Sequence, residues 1–296
     1  MWKLLQIELF KISKRPRTYI AFAAIVAIST IFQFAFKVDG KSYLEFMLQD
    51  IPVDFNVETH KMLNGYFMCY IILNTLLIQV PILVAFVAGD AISGEANMGT
   101  LRLLMSKPIG RTEIILVKFF ASVIFTILLL VWMAIVALFL SMLIFGVNDM
   151  AFARTKAETE ILVISQDDVM WRYAAAFAYA TVALTVIAAL ALFLSIFAEN
   201  SIGPIIATVC IVIVCTVVSN IDVPVITKNV KPWLFTSDLV GWKGFFYINT
   251  TEDNVPIKGS MENWPAVRNS LLKLTGYIVI FLSASIFAFR KKDILS

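Results

Sequence analysis

The sequence predicts an all-α integral membrane protein with six transmembrane helices, an N-terminal amphipathic interfacial helix, and both termini cytoplasmic. Three observations predict it. Of 296 residues, 60% are hydrophobic and 15% charged, with mean hydropathy +0.86, where a soluble domain carries about 25% charged residues. Six apolar runs approach the ~20 residues that a helix needs to cross a ~30 Å hydrocarbon core. Lysine and arginine are divided unevenly between alternate connections, which orients the spans. This composition excludes a disordered chain, a disulfide-stapled secreted domain and an ordinary soluble enzyme. A net charge of +3 gives no reason to expect a nucleic-acid partner.

Residues 1–18 open the chain. Trp2, Leu5, Leu9 and Ile12 recur at helical spacing opposite Lys3, Gln6 and Lys14, so this stretch reads as a helix lying in the interface. The spans follow at 19–36, 66–88, 119–145, 173–197, 202–219 and 271–289. The first is too long for the apolar core of a cleaved signal, and no small-x-small site follows it. Pro81 predicts a kink in span two. Pro204 stands near the start of span five, where proline is tolerated.

Residues 1–18, 89–118, 198–201 and 290–296 hold 12 Lys+Arg in 59 positions. Residues 37–65, 146–172 and 220–270 hold 11 in 107. The denser set reads as cytoplasmic. The last outer loop, 220–270, carries Trp233, Phe235, Trp242, Phe245, Phe246, Tyr247 and Trp264, broken by four prolines. One or two short helices at the outer interface are expected there. An aromatic-belt anchor is the favoured role, with a lateral gate touching substrate as the sharper alternative.

Chemistry is sparse. Cys69, Cys210 and Cys215 lie in apolar runs and His60 is the single histidine, so neither a disulfide framework nor a metal site is expected. No span carries an ionisable residue near its middle. Lys118 and Lys273 lie at span ends, from which they can snorkel to the interface. Gradient-driven coupling, which usually needs such a residue, is weakly supported. The nearest approach to a phosphate loop, Gly89–Gly94, continues as Glu95-Ala96 where the motif needs Lys and then Ser or Thr. No catalytic residue or cofactor is assigned to the chain, and any transport must draw its energy from a partner.

The informative connection is the loop 89–113. Asp90 and Glu95 open it near a helix N-terminus. Gly99-Thr100 precedes a short helix over 101–105, with Leu101, Leu104 and Met105 on one face and Arg102 on another. Lys107-Pro108 stops that helix, and Arg111-Thr112-Glu113 restarts one that runs into span three. Composition leaves a docking knob and a plain solvated linker equally open.

Asp90, Glu95, Gly99, Thr100, Leu101, Leu103, Leu104, Pro108, Ile109, Arg111 and Lys118 together resemble the corresponding segment of ABC-2 type transporter permeases, the membrane subunits of ABC exporters. The basic start ending Lys14-Arg15-Pro16-Arg17 and the terminus Phe289-Arg290-Lys291-Lys292-Asp293-Ile294 are similar too. Gly94 departs from the pattern, since many members carry an acid or a bulky residue there. The resemblance implies a single ABC-2 type transmembrane domain over 1–296, paired with a second copy of itself or a related permease. It also implies a separate ABC nucleotide-binding subunit that holds ATP and Mg, and residence as a multi-pass protein in the bilayer of a cell membrane, in bacteria the inner membrane. It assigns ATPase coupling to Asp90, Glu95, Gly99, Thr100, Leu101, Arg102, Pro108 and Arg111, and a second contact to the interfacial helix of Trp2, Leu5, Leu9 and Ile12. Glu95 is then expected at the partner contact. A non-transporting membrane module, moved by an ATPase and acting on envelope partners, is the alternative function.

Overall fold

The computed structural model describes residues 1–48, 63–156, 158–221, 223–249 and 257–292. His60 and the Asp293-Ile294 end of the tail lie outside the described residues. A first helix, Trp2–Lys14, meets the next, Pro16–Leu48, at Arg15. Pro16 suits a first-turn position, where its missing N–H is not needed, and the Thr18 hydroxyl donates to the Ile12 carbonyl at 2.5 Å. Six helices are long and apolar enough to cross a membrane: Pro16–Gly40, Gly65–Asn97, Arg111–Phe145, Gln166–Ser195, Ile202–Ser219 and Trp264–Lys291. The protein is therefore a multi-pass membrane protein by length and composition.

Span five has the residues expected from the sequence. Span three begins at Arg111 rather than 119, span four at Gln166 rather than 173 and span six at Trp264 rather than 271. Polar first turns carry these helices beyond their apolar runs. Span one departs from helical geometry at Asp39, with φ −133° and ψ 22°. Span two proper is continuous from Gly65 to Ala88 and contains Pro81.

Span four is the centre of the bundle and packs against spans two, three, five and six. Ala176, Ala180, Ala183, Ala188 and Ala191 are buried along it. Small side chains let helix backbones approach closely where apolar burial gives no advantage over lipid. The same device sets the start of span two, where a Cβ on Gly65 would come within 2.5 Å of the Met142 backbone. Asn64 caps that helix through the Phe67 N–H at 2.9 Å and donates to the Asp149 carbonyl at 2.7 Å.

Span three contains one π-helical turn, Ile135–Phe139. Such a turn disturbs the regular carbonyl ladder. Gln33 of span one donates to the Val136 carbonyl at 3.0 Å and to Ser141 at 2.9 Å, fully buried.

Two structured connections lie between the spans, and the first departs from an all-α reading. A β-hairpin joins spans three and four, Met150–Lys156 against Glu158–Ile164, in antiparallel register from Met150↔Ile164 to Lys156↔Glu158. After span five come helices Pro224–Asn229 and Phe235–Leu239, separated and followed by 3₁₀ turns Lys231–Trp233 and Val240–Phe246. The two short helices meet the expectation for this loop. Its aromatics do not all lie at an interface, however. Trp242, Phe245 and Phe246 are buried, with Trp242 5.2 Å from Tyr70 and Phe246 4.9 Å from Tyr173 between ring centroids. They cap spans two and four. Trp233 remains exposed at 77% and Trp264 at 49%, as a belt anchor requires.

Candidate functional site

The residues of the loop 89–113 gather at one end of the bundle. The turn after span two leads into the short helix Ser93–Asn97. Span four supplies its cap: the Ser195 hydroxyl accepts from the Ile92 and Ser93 N–H groups at 3.1 and 2.9 Å. Gly99 follows with φ +69°, a left-handed conformation that glycine adopts without strain. It reverses the chain into the helix Thr100–Met105. Leu101 is buried beneath this helix and Leu104 and Met105 half-buried, while Arg102 and Leu103 face out. Span three then starts at Arg111.

Charges fasten the N-terminal helix to this loop. Lys11 Nζ lies 2.7 Å from Glu95 and 2.8 Å from Glu8. Lys118 Nζ lies 3.0 Å from Glu95 and 3.1 Å from Glu8. Two acids and two lysines, drawn from three segments, thus neutralise one another. Burial opposes the Lys11 charge, but Glu8 and Glu95 outweigh it and hold its ammonium above the ordinary lysine value. Both ammonium groups meet the same oxygen of Glu95, and its Oε2 finds no hydrogen-bond partner among the described residues. A second pairing joins Arg15 and Arg17 to Asp90, Arg17 at 3.1 Å. Gly94 makes room for that carboxylate, because a Cβ there would stand 2.4 Å from Asp90 Oδ1.

Several sequence expectations change here. Glu95 is 3% exposed and faces the protein interior, with its carboxylate paired to Lys11 and Lys118. Asp90 is likewise buried, at 5%. Arg111 serves as a helix cap, donating to the carbonyls of Phe289, Arg290 and Lys292 at 3.3, 2.8 and 2.8 Å. Lys118 does not snorkel; it turns inward and is 2% exposed. On the N-terminal helix, Leu5, Leu9 and Ile12 are half-buried, but Trp2 is 69% exposed and the inward face also carries Glu8 and Lys11. From the expected set, Gly99, Thr100, Arg102 and Pro108 lie on the surface, beside exposed Met98 and Leu103. The arrangement is a small projecting knob, apolar and basic, seated on a locked base.

Sequence reasoning missed Ser195, Glu8 and a second charged cluster. Arg172, near the start of span four, is fully buried. Its Nη2 and Nε donate to Asp168 Oδ2 at 2.6 and 3.0 Å, and it also donates to the carbonyls of Phe245 and Ser260. Trp171 and the Gly259 N–H satisfy the other Asp168 oxygen. This clamp binds the connection between spans five and six to the head of span four. The i, i+4 spacing of Asp168 and Arg172 was the one signal available.

A protein of Bacillus subtilis (strain 168), named there as the uncharacterized protein YhcI, is 22% identical over 213 residues, which are 70% of this chain and 62% of that relative. The family model described as protein of unknown function (DUF2705) matches residues 19–295. Since that match covers nearly the whole chain, the chain belongs to the DUF2705 family.

Proposed function

We propose that this chain is the transmembrane permease subunit of an ABC-2 type exporter. In this reading a separate nucleotide-binding subunit binds and hydrolyses ATP with Mg. A second permease, either another copy or a related chain, completes a twofold pathway in the cell membrane. The observation that carries it is the knob at Met98–Pro108. It projects from the bundle while the Glu8–Lys11–Glu95–Lys118 cluster and the Asp90–Arg15–Arg17 pairing lock its base to the N-terminal helix and span three.

A push on such a knob does not dissipate in a flexible loop. The base links span two, through Asp90 and Glu95, to span three, through Lys118, and to the link before span one, through Arg15 and Arg17. Arg111 extends the connection to the end of span six. Rigid elements joined in this way can convert closure of an ATPase dimer into a rearrangement of helices. Exposed Met98 and Leu103, at 61% and 69%, supply apolar anchors for a partner cleft, and Arg102 supplies a charge beside them.

The test is site-directed cross-linking in native membranes, after replacing the three native cysteines. Leu103→Cys is expected to cross-link to an ATPase subunit. Ser106→Cys in intact cells is expected to be shielded from an impermeant thiol reagent, while Ser260→Cys reacts. A reactive position 106 with an inert position 260 places the knob away from ATP and overturns the proposal.

A further inference from the structure

At the opposite end of the bundle from the knob, the connection after span five and the upper part of span six enclose a groove of about 580 Å³, lined by Lys228, Asn229, Pro232, Trp233, Lys273, Gly276, Tyr277 and Ile280. We propose that this groove is a binding site for an anionic phospholipid, with its phosphate between Lys228 and Lys273 and an acyl chain along Gly276 and Ile280.

Position argues for a lipid. Lys273 and Lys291 are eighteen residues apart on one helix, about 27 Å, close to the hydrocarbon thickness. Lys273 therefore stands at one membrane face, and Ile280 lies about 10 Å deeper. Charge sits where a headgroup sits, and apolar wall where a chain sits. Trp233 and Tyr277 stand at that level too, as aromatic residues do at an interface. The volume falls within the ~300–1,000 Å³ of ligand pockets.

The walls are built rather than incidental. The Tyr277 hydroxyl donates to the Trp233 carbonyl and pins the 3₁₀ turn to span six. Gly276 borders the open trough, where a Cβ would meet nothing within 4 Å.

Charge complementarity argues for an anion. Lys228 makes no ion pair or side-chain hydrogen bond with any described residue and is exposed. Among the described residues Lys273 pairs with one acid, Asp238 Oδ2, at 3.8 Å, beyond hydrogen-bond distance. Burial pushes the Asp238 carboxyl up, and at this separation it leaves the Lys273 ammonium free to donate its hydrogen bonds elsewhere. Two ammonium groups beside an apolar trough suit a phosphate on a hydrocarbon chain, since lysine binds phosphate as a point charge.

The experiment uses the full chain in detergent, offered phosphatidylglycerol or phosphatidylcholine of equal chain length, with retained lipid counted by native mass spectrometry. Wild type is expected to retain the anionic lipid about tenfold better. The Lys228→Gln/Lys273→Gln double variant is expected to lose that preference while still retaining some of both lipids. Gly276→Trp, which fills the trough, is expected to lose both at an unchanged melting temperature. A second measurement needs neither the charge variant nor the filled trough. Phosphatidylglycerol brominated on its acyl chain is expected to quench wild-type tryptophan fluorescence more strongly than that of Trp233→Phe. Equal retention of the two lipids by wild type, an anionic preference that survives in the double variant, or equal quenching with and without Trp233 overturns the proposal. So does displacement of the bound lipid by an amphiphilic peptide at equal concentration. None of these readouts depends on an ATPase.

Discussion

Replacing Glu95 with glutamine removes one charge from a four-membered cluster and leaves the shape of the side chain. Glu95 and Lys118 are 3% and 2% exposed, while Glu8 and Lys11 reach 13% and 40%. Breaking a fully buried ion pair from one side costs about 3–5 kcal/mol, because the remaining charge is stranded. Here Lys118 keeps Glu8 at 3.1 Å, and Lys11 is screened by solvent. Glu95→Gln is therefore expected to destabilise by ~2–3 kcal/mol. Lys118→Met leaves two carboxylates on one half-exposed lysine, and its expected cost is ~3–5 kcal/mol. The double variant restores neutrality, so it is expected to be less destabilised than the sum, with a coupling of ~1–3 kcal/mol.

Thermal unfolding in detergent measures the stabilities. Trypsin cleavage after Lys14 measures the consequence, since the N-terminal helix is released when its anchor fails. An unchanged melting temperature for Glu95→Gln refutes the reasoning. Strict additivity in the double variant refutes it as well, because the two charges would then not interact.

The other predictions concern the opposite end. Arg172→Ala strands the buried Asp168 carboxylate and releases the Phe245 and Ser260 carbonyls, so a loss of about 3–5 kcal/mol is expected, together with faster proteolysis between Val240 and Trp264; protection equal to wild type counts against the clamp. For Asp238, burial pushes the carboxyl up against the pull of Ser270 and Lys273. A carboxyl so raised costs stability while charged, and the fold is relieved as pH falls through the raised value toward the ordinary one. Asp238→Asn, which keeps an acceptor for Ser270, is expected to raise the melting temperature at pH 7 and leave it nearly unchanged near pH 4. A larger gain at pH 4 contradicts this sign.

Much of the fold was legible because bilayer thickness imposes a length on apolar runs. Span five, bounded by Ser201 and Asn220, could be read to the residue. The helix start at Arg111 was legible from Lys107-Pro108 before it, but the starts of spans four and six were not, since Gln166 and Trp264 begin helices in polar sequence where hydropathy is silent. The hairpin at Met150–Ile164 was not read from the sequence although Thr155, Thr159, Ile161 and Val163 are β-branched, a weak signal on its own. The short helix Thr100–Met105 was visible because Gly99 and Pro108 punctuate it.

The site was legible in its surface and illegible in its base. Gly99, Arg102 and Leu103 could be placed from spacing along one short segment. Glu8, Lys11, Glu95 and Lys118 come together over separations of up to 110 residues, and no local pattern announces a partner that far away. Lys118 shows the difficulty. At the end of an apolar run a lysine ordinarily reaches outward to water, and nothing within ten residues argues otherwise. What turns it inward is Glu8, on a helix whose apolar periodicity hid the fact that its inward face is charged. Well-packed apolar residues there would be at least as stable, so what the charges add is a defined geometry, which the proposed function uses when the knob is pushed. The cluster fixes the geometry between the N-terminal helix, the loop and span three, and that fixed geometry is what a force applied at Leu103 would need in order to reach the membrane.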